Sequence, residues 1–294
     1  MTGHTENGDP TRVTRIVCAQ LDPVVGELMA NQEKCLAAVR TALADDADII
    51  VLPELATAGY VFESKREAIS VAIRLDDPFF ERLSNLLLTT DSIVILGFCE
   101  QDPNGGLFNS AAAVTQDGVV EVYRKTHLWD RETLIFEPGA EMAPVVQTVH
   151  GRIGILICYD LEFAEMPRSL ALRGADLIAV PTNWPLGDHP ADERAAEVIY
   201  AQAAARANGV FIACCDRAGI ERGQEWTEGT VIIDQFGWVR ASATAGSRTP
   251  FRPAEGTEIA RADVFTRLAR DKAISPHNDL LGDRRPDIYA RGLA

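Results

Sequence analysis

Between residues 153 and 214 the chain alternates short apolar runs with stretches of helical spacing. The apolar runs cover 153–157, 177–180 and 210–214, and the helical stretches cover 165–173 and 190–207. Aliphatic runs this short read as buried strands, and the segment 171–174 reads as a helix ending at a glycine. Strands and helices in strict alternation specify an α/β domain in which helices cover a mixed sheet or a pair of sheets. The chain opens in the same way. A strand from Val13 to Ala19 precedes Leu28, Cys35, Leu36, Val39 and Leu43 at helical spacing, and a second strand follows at 49–52. A helical region over 64–90, interrupted at Asp77-Pro78, leads into apolar runs at 93–98, 108–114 and 119–123, with "DPNGG" and "QDG" as the turns between them. Two further runs, 231–233 and 238–240, flank "DQFG".

No Ser/Gly-rich linker, internal repeat or low-complexity segment divides this pattern. The expected organisation is a polar tail over 1–12, one domain over 13–266, and a charged arm over 267–294. The arm carries Pro276 and Pro286 and either packs on a partner subunit or extends as a tail. A formal charge of -15 repels nucleic acid and anionic membrane, so neither is an expected partner. The first ten residues lack the basic start and apolar stretch of a secretory signal, and no apolar run has bilayer length, which predicts a cytoplasmic protein. Six cysteines without C-x-x-C spacing read as reduced, buried thiols rather than a disulfide framework or zinc ribbon.

Three ionisable residues fall just past strand ends, where α/β proteins open into a crevice. They are Glu54 in "DIIVLPELATAGY", Lys125 in "VVEVYRKTHLWD" and Cys158 in "GRIGILICYDLEFAE". Singly, each has an ordinary reading: a loop carboxylate, a surface charge beside Arg124, a small core hydrophobe. Their surroundings taken together resemble the nitrilase superfamily of carbon-nitrogen hydrolases. The matching segments are "LPELATAGY", "YRKTHLWD" followed by "FEPG", "GRIGILICYDLEFAE" and "RGADLIAVPTNWP", in family order from about Thr14 to about Ala243.

That resemblance implies a four-layer α-β-β-α sandwich, usually paired into a homodimer or a larger homo-oligomer, with the helix at 165–173 in the interface. It implies Cys158 as nucleophile, Glu54 as general base and acid, and Lys125 as the cationic partner, with no cofactor or metal. A second family glutamate, six positions before "PG", falls on Glu132, with Glu137 nearby. The chemistry asks for these types on its own terms. An amide is a poor electrophile and calls for a thiol activated by a base, and the tetrahedral oxyanion calls for fixed donors, here Lys125 and the backbone N–H of Tyr159.

The expected activity is hydrolysis of small amides to a carboxylic acid and ammonia through a thioester. Tyr159-Asp160, where nitrile-hydrolysing relatives carry Trp-Glu, favours amides over nitriles. An N-carbamoyl amine or amino acid amidohydrolase and a nitrilase share the same triad, and a noncatalytic binding or scaffold member is the alternative of a different class. Asn183 and Trp184 of "PTNWP" are candidates to line the substrate pocket or, equally, to form a packed turn. Tyr60, Phe62 and Trp129 are further pocket candidates, and His127 reads as a loop or structural histidine. The family's Phe-Pro-Glu is replaced by Phe163-Ala164-Glu165, with Pro167 displaced into the first helical turn, where proline is tolerated. The chain has no G-x-S-x-G, H-E-x-x-H, P-loop or G-x-G-x-x-G pattern.

Overall fold

The computed structural model describes residues 12–188, 190, 193–243 and 259–292. Nearly all of the expected N-terminal tail lies outside the described residues. Two six-stranded sheets carry the fold. The first contains β1 (Thr14–Ala19), β2 (Ile49–Val51), β3 (Ile93–Gln101), β4 (Leu107–Thr115) and β5 (Gly118–Arg124). The second contains β6 (Val145–Thr148), β7 (Gly151–Ile155), β8 (Leu177–Pro181) and β9 (Phe211–Cys215). A short hairpin follows, β10 (Ile220–Glu221) and β11 (Gln224–Glu225). Then β12 (Val231–Ile233) and β13 (Val239–Ser242) complete the second sheet, and β14 (Ile259–Val264) returns to the first. The strand orders are β14-β1-β2-β3-β4-β5 and β13-β12-β9-β8-β7-β6.

At the centre of each sheet the strands run parallel, β1 with β2 and β2 with β3 in one, β7 with β8 and β8 with β9 in the other. Because successive side chains point to opposite faces, the apolar runs of the first sheet are buried twice over. Ile16, Cys18, Ile49, Val51, Ile93 and Ile95 join the second sheet's Ile153, Ile155 and Leu177 in one core between the sheets. Their neighbours Val17, Ile50, Leu52, Val94 and Leu96 pack under α1 (Leu28–Ala44) and α3 (Pro78–Leu87). On the far side, α4 (Glu165–Leu172) and α5 (Ala196–Asn208) cover the second sheet through Leu170, Ala171, Ala201 and Ala205. The layers therefore stack helix, sheet, sheet, helix, as the resemblance implies.

Several boundaries depart from the sequence reading. The helical region over 64–90 resolves into α2 (Lys65–Ser70) and α3, and between them Ile73 bridges to Glu100 beside β3. Asp77 ends the interruption by accepting the Phe79 N–H, with Pro78 opening α3, a favoured start for a helix. Helix α5 begins at Ala196, six residues later than the spacing suggests. Strand β7 stops at Ile155, two residues short of the expected 157, because Ile157 already caps a 3-10 turn over Cys158–Glu162. Pro167 sits in the first turn of α4, so its missing N–H costs no helical bond. The segment from Arg267 begins by docking on its own chain. Arg267 donates to the Val149 carbonyl, Arg270 pairs with Asp176, and Lys272 donates to the carbonyls of Asn208 and Gly209 at the end of α5. Among the described residues, no helix is long and apolar enough to cross a membrane.

Candidate active site

Strands β2, β7 and β8 deliver their carboxyl ends to one edge, and β5 arrives there from the first sheet's other flank. The chain leaves β2 through Pro53 and turns sharply, with Leu55 in the left-handed region at φ 48°. The turn lies directly on Gly97 of β3. A Cβ on Gly97 would sit 2.5 Å from both the Glu54 Cα and the Leu55 nitrogen, so this approach requires glycine. Glu54 is thereby fully buried, and its N–H reaches across to the Thr182 carbonyl of the second sheet at 3.4 Å.

Lys125 leaves β5 with its backbone still paired to β4, its N–H donating to the Asn109 carbonyl at 2.8 Å. Its side chain has no solvent exposure, and its ammonium bridges two carboxylates, Glu54 Oε1 at 2.7 Å and Glu132 Oε1 at 2.8 Å. Asn109 Nδ2 also donates to Glu54 Oε1, at 2.7 Å. Glu132 Oε1 further accepts from Tyr60 Oη at 2.6 Å, and Glu132 Oε2 accepts from the Trp129 N–H at 3.1 Å. Of the two nearby glutamates, Glu132 is the one that meets Lys125. Glu137 is exposed and pairs with Lys65 instead.

Cys158 occupies a left-handed turn, φ 46°, just past the end of β7, and its side chain is buried. A non-glycine residue held there costs on the order of 1–3 kcal/mol and persists only where its surroundings enforce it. Asp160 does the enforcing. Its Oδ2 accepts from the Ile157 N–H at 3.3 Å and from Tyr123 Oη at 2.8 Å, while its Oδ1 accepts from the backbone N–H and ring Nδ1 of His127 at 2.9 and 2.8 Å. One buried carboxylate thus ties the turn carrying Cys158 to the segment carrying Lys125. His127, stacked on Phe163 at 3.6 Å, is part of that clamp.

Burial is the largest single influence on Glu54, Lys125 and Cys158. It lifts the Glu54 carboxyl from 4.5 to about 7, with the Lys125 charge pulling against it and the Glu132 charge adding to it. Burial alone would lower Lys125, but Glu132, Glu54 and Cys158 outweigh it and hold the ammonium well above 10.5. Burial pushes the Cys158 thiol well above 9; Glu54 reinforces this, while Lys125 and the Asn183 backbone N–H oppose it. At rest the site therefore holds a neutral thiol, a permanent ammonium and a carboxyl poised near neutrality. Glu54 Oε1 is saturated by its donors, whereas the buried Oε2 has no hydrogen-bond partner among the described residues. A bare buried carboxylate oxygen is costly, and it is the atom free to take a proton.

The remaining pocket candidates divide. Asn183 is fully buried, and its Nδ2 donates to the Glu54 carbonyl at 2.9 Å, bracing the turn that carries the carboxylate. Trp184 is buried and packs against Gly229. Tyr60 is half-buried with its hydroxyl on Glu132, while Phe62 packs edge-on against Phe136 at 6.1 Å. Trp129 is exposed and meets Tyr159 edge-on at 4.9 Å. Asn109 and Asp160 join the site without a motif in the sequence reading that marks them as site residues. The signal for Asn109 is a polar side chain inside the apolar run "LFNSAAAV", since a buried amide needs partners.

A two-sheet sandwich with a buried cysteine, two glutamates and a lysine at one strand edge defines a class, and the sequence comparisons supply its family. The pattern of the carbon-nitrogen hydrolase family matches residues 15–251, and the chain belongs to that family. It is a hydrolase acting on carbon–nitrogen bonds other than peptide bonds. Among its relatives, a nitrilase of Pyrococcus abyssi is 31% identical over 282 residues, covering 95% of this chain and 100% of the relative. An (R)-stereoselective amidase of a Pseudomonas species is 32% identical over 272 residues, covering 92% and 91%. Among solved structures, an amidase from Nesterenkonia sp. superposes with a TM-score of 0.74 over 95% of this chain and 96% of that one, at 23% identity, and so shares the fold.

Proposed function

We propose that the protein is an amidase that hydrolyses small amides to a carboxylic acid and ammonia through a thioester on Cys158. The observation that carries this reading is the asymmetry of Glu54, one oxygen held by Lys125 and Asn109 and the other without a partner among the described residues, beside a buried thiol that burial keeps protonated. Glu54 Oε2 takes the thiol proton as sulfur bonds to the amide carbon. The Lys125 ammonium and the Tyr159 backbone N–H hold the oxyanion, Glu54 returns the proton to the nitrogen as the C–N bond breaks, and ammonia leaves. Water then attacks the thioester with Glu54 as base, releasing the acid and restoring the thiol. Glu132 orients Lys125, and Tyr60 orients Glu132. Tyr60, Trp129, Tyr159, Asn183 and Trp184 frame the substrate side.

Tyr159-Asp160 after the nucleophile supports amides over nitriles, and the Pseudomonas relative described as an amidase supports the same choice. N-carbamoyl amines stand as the second reading, because an N-carbamoylputrescine amidase of Solanum tuberosum is 30% identical over 264 residues. The enzyme works on a small molecule, without nucleic acid or membrane, in the cytoplasm. It works as a homodimer through α4, where Leu172 is exposed. The test is ammonia release from short aliphatic amides, aromatic amides, N-carbamoyl amines and the matching nitriles. Turnover led by amides supports the reading, whereas turnover confined to nitriles or carbamoyl compounds overturns the substrate class.

A further inference from the structure

The hairpin β10–β11 belongs to neither sheet, yet it joins the two sides of the site. On one side the Thr227 N–H donates to the Trp184 carbonyl at 2.8 Å, and the Leu186 N–H donates to the Glu225 carbonyl at 2.9 Å. On the other, Glu221 Oε2 accepts from the backbone N–H groups of both Tyr60 and Val61, at 2.8 and 2.6 Å. Glu221 is itself buried and lies 3.0 Å from Nη1 of Arg217, a fully buried arginine whose Nη2 donates to the Pro23 carbonyl. The Arg217 guanidinium stands 4.6 Å over the ring of Trp226, and Trp226 meets the Tyr60 ring edge-on at 5.4 Å. Gly59 lets the loop come this close, for at φ +79° a Cβ there would lie 2.3 Å from the Val25 Cα and 2.8 Å from Glu221 Oε1.

Burying a guanidinium and a carboxylate carries a desolvation cost that an apolar pair would avoid, so this pair is poorly explained as stability alone. Its hydrogen bonds end on the two amides that fix the direction of the Tyr60 side chain, and the Tyr60 hydroxyl ends on Glu132 Oε1, the oxygen that also holds Lys125. We infer that Glu221, braced by Arg217, is a positioning residue for the reaction, acting through Tyr60 and Glu132 on the Lys125 ammonium. This rests on the amidase reading above and adds to it a third group of residues, outside both sheets.

The test is a double-mutant cycle. Arg217→Met with Glu221→Leu removes both charges while keeping volume, and Glu221→Gln keeps an acceptor for the loop amides. Each is combined with Tyr60→Phe, with thermal melting as the check on folding. The paired variant is expected to fold and to lose about 100-fold in kcat/KM, mostly in kcat, as a misplacement of about 1 Å would do. Glu221→Gln is expected to retain activity within about tenfold of wild type, and in the Tyr60→Phe background the paired change is expected to cost less than about threefold. An equal loss with and without the Tyr60 hydroxyl, or full activity in the folded paired variant, overturns the inference. The same cycle read as the rate of Cys158 alkylation by iodoacetamide needs no substrate. A wild type that alkylates rapidly but turns over no amide therefore counts against the amidase reading alone.

Discussion

Glu54→Gln separates two consequences of one buried carboxyl. Burial raises the Glu54 pKa from 4.5 to about 7, so the folded protein holds this proton more tightly than the unfolded chain does. The sign follows from linkage. The stabilisation is complete below about pH 4.5 and is lost as pH rises to about 7, at about 1.4 kcal/mol for each tenfold change in proton affinity, or about 3 kcal/mol in all. Urea unfolding of wild type and Glu54→Gln across pH 4.5 to 8 isolates this group, because the other titrating groups are shared. The wild-type advantage is expected to shrink by about 3 kcal/mol across that window and then level off. Activity should move the opposite way, since only the ionised carboxylate can accept the thiol proton. Wild-type kcat/KM is expected to rise with pH, half-maximal near 7 and about tenfold below its plateau at pH 6. A stability difference that stays flat with pH would mean that Lys125 cancels burial completely, and it would remove the basis for Glu54 as a base matched to neutral pH.

Other substitutions test the scaffold. Gly97→Ala places a Cβ 2.5 Å from the Glu54 Cα; it is expected to lower stability by about 1–3 kcal/mol and kcat/KM by about 100-fold, read by melting and steady-state kinetics. Unchanged kinetics would mean that the Glu54 turn tolerates displacement. Asp160→Ala removes the acceptor of the Ile157 N–H and of both His127 donors and leaves the Tyr123 hydroxyl with Thr126 alone; it is expected to cost about 3–5 kcal/mol by urea unfolding, with Asp160→Asn costing less. A loss below about 1 kcal/mol would contradict its role as the clamp on the turn that carries Cys158.

Glu54, Lys125 and Cys158 each follow a run that marks a strand end, but that position alone leaves each with an ordinary reading, and only the resemblance of the surrounding motifs sets them apart as a group. Both helices over the second sheet were legible because their apolar spacing must face a sheet. What sequence could not supply is pairing between distant segments. Strand β14 completes the first sheet beside β1, but "IARADV" alternates weakly because only part of one face is covered. Glu132 and Glu137 look alike in sequence, and only the turn after Trp129 turns one inward. Asp160, Glu221 and Arg217 are charged residues whose partners lie 33, 161 and 194 positions away, as with His127, Tyr60 and Pro23. Local patterning carries no trace of such contacts, so a buried ion pair reads there as surface charge. The start of α5 is hidden in the sequence because the polar stretch before Ala196 reads as a continuation of the helix that follows it.

The most direct test of the account is ammonia release from the best amide substrate by Cys158→Ala beside wild type, with both proteins shown to be folded by thermal melting. The account expects turnover by wild type and none above background in the folded variant. Turnover near the wild-type rate in folded Cys158→Ala would contradict the thioester mechanism.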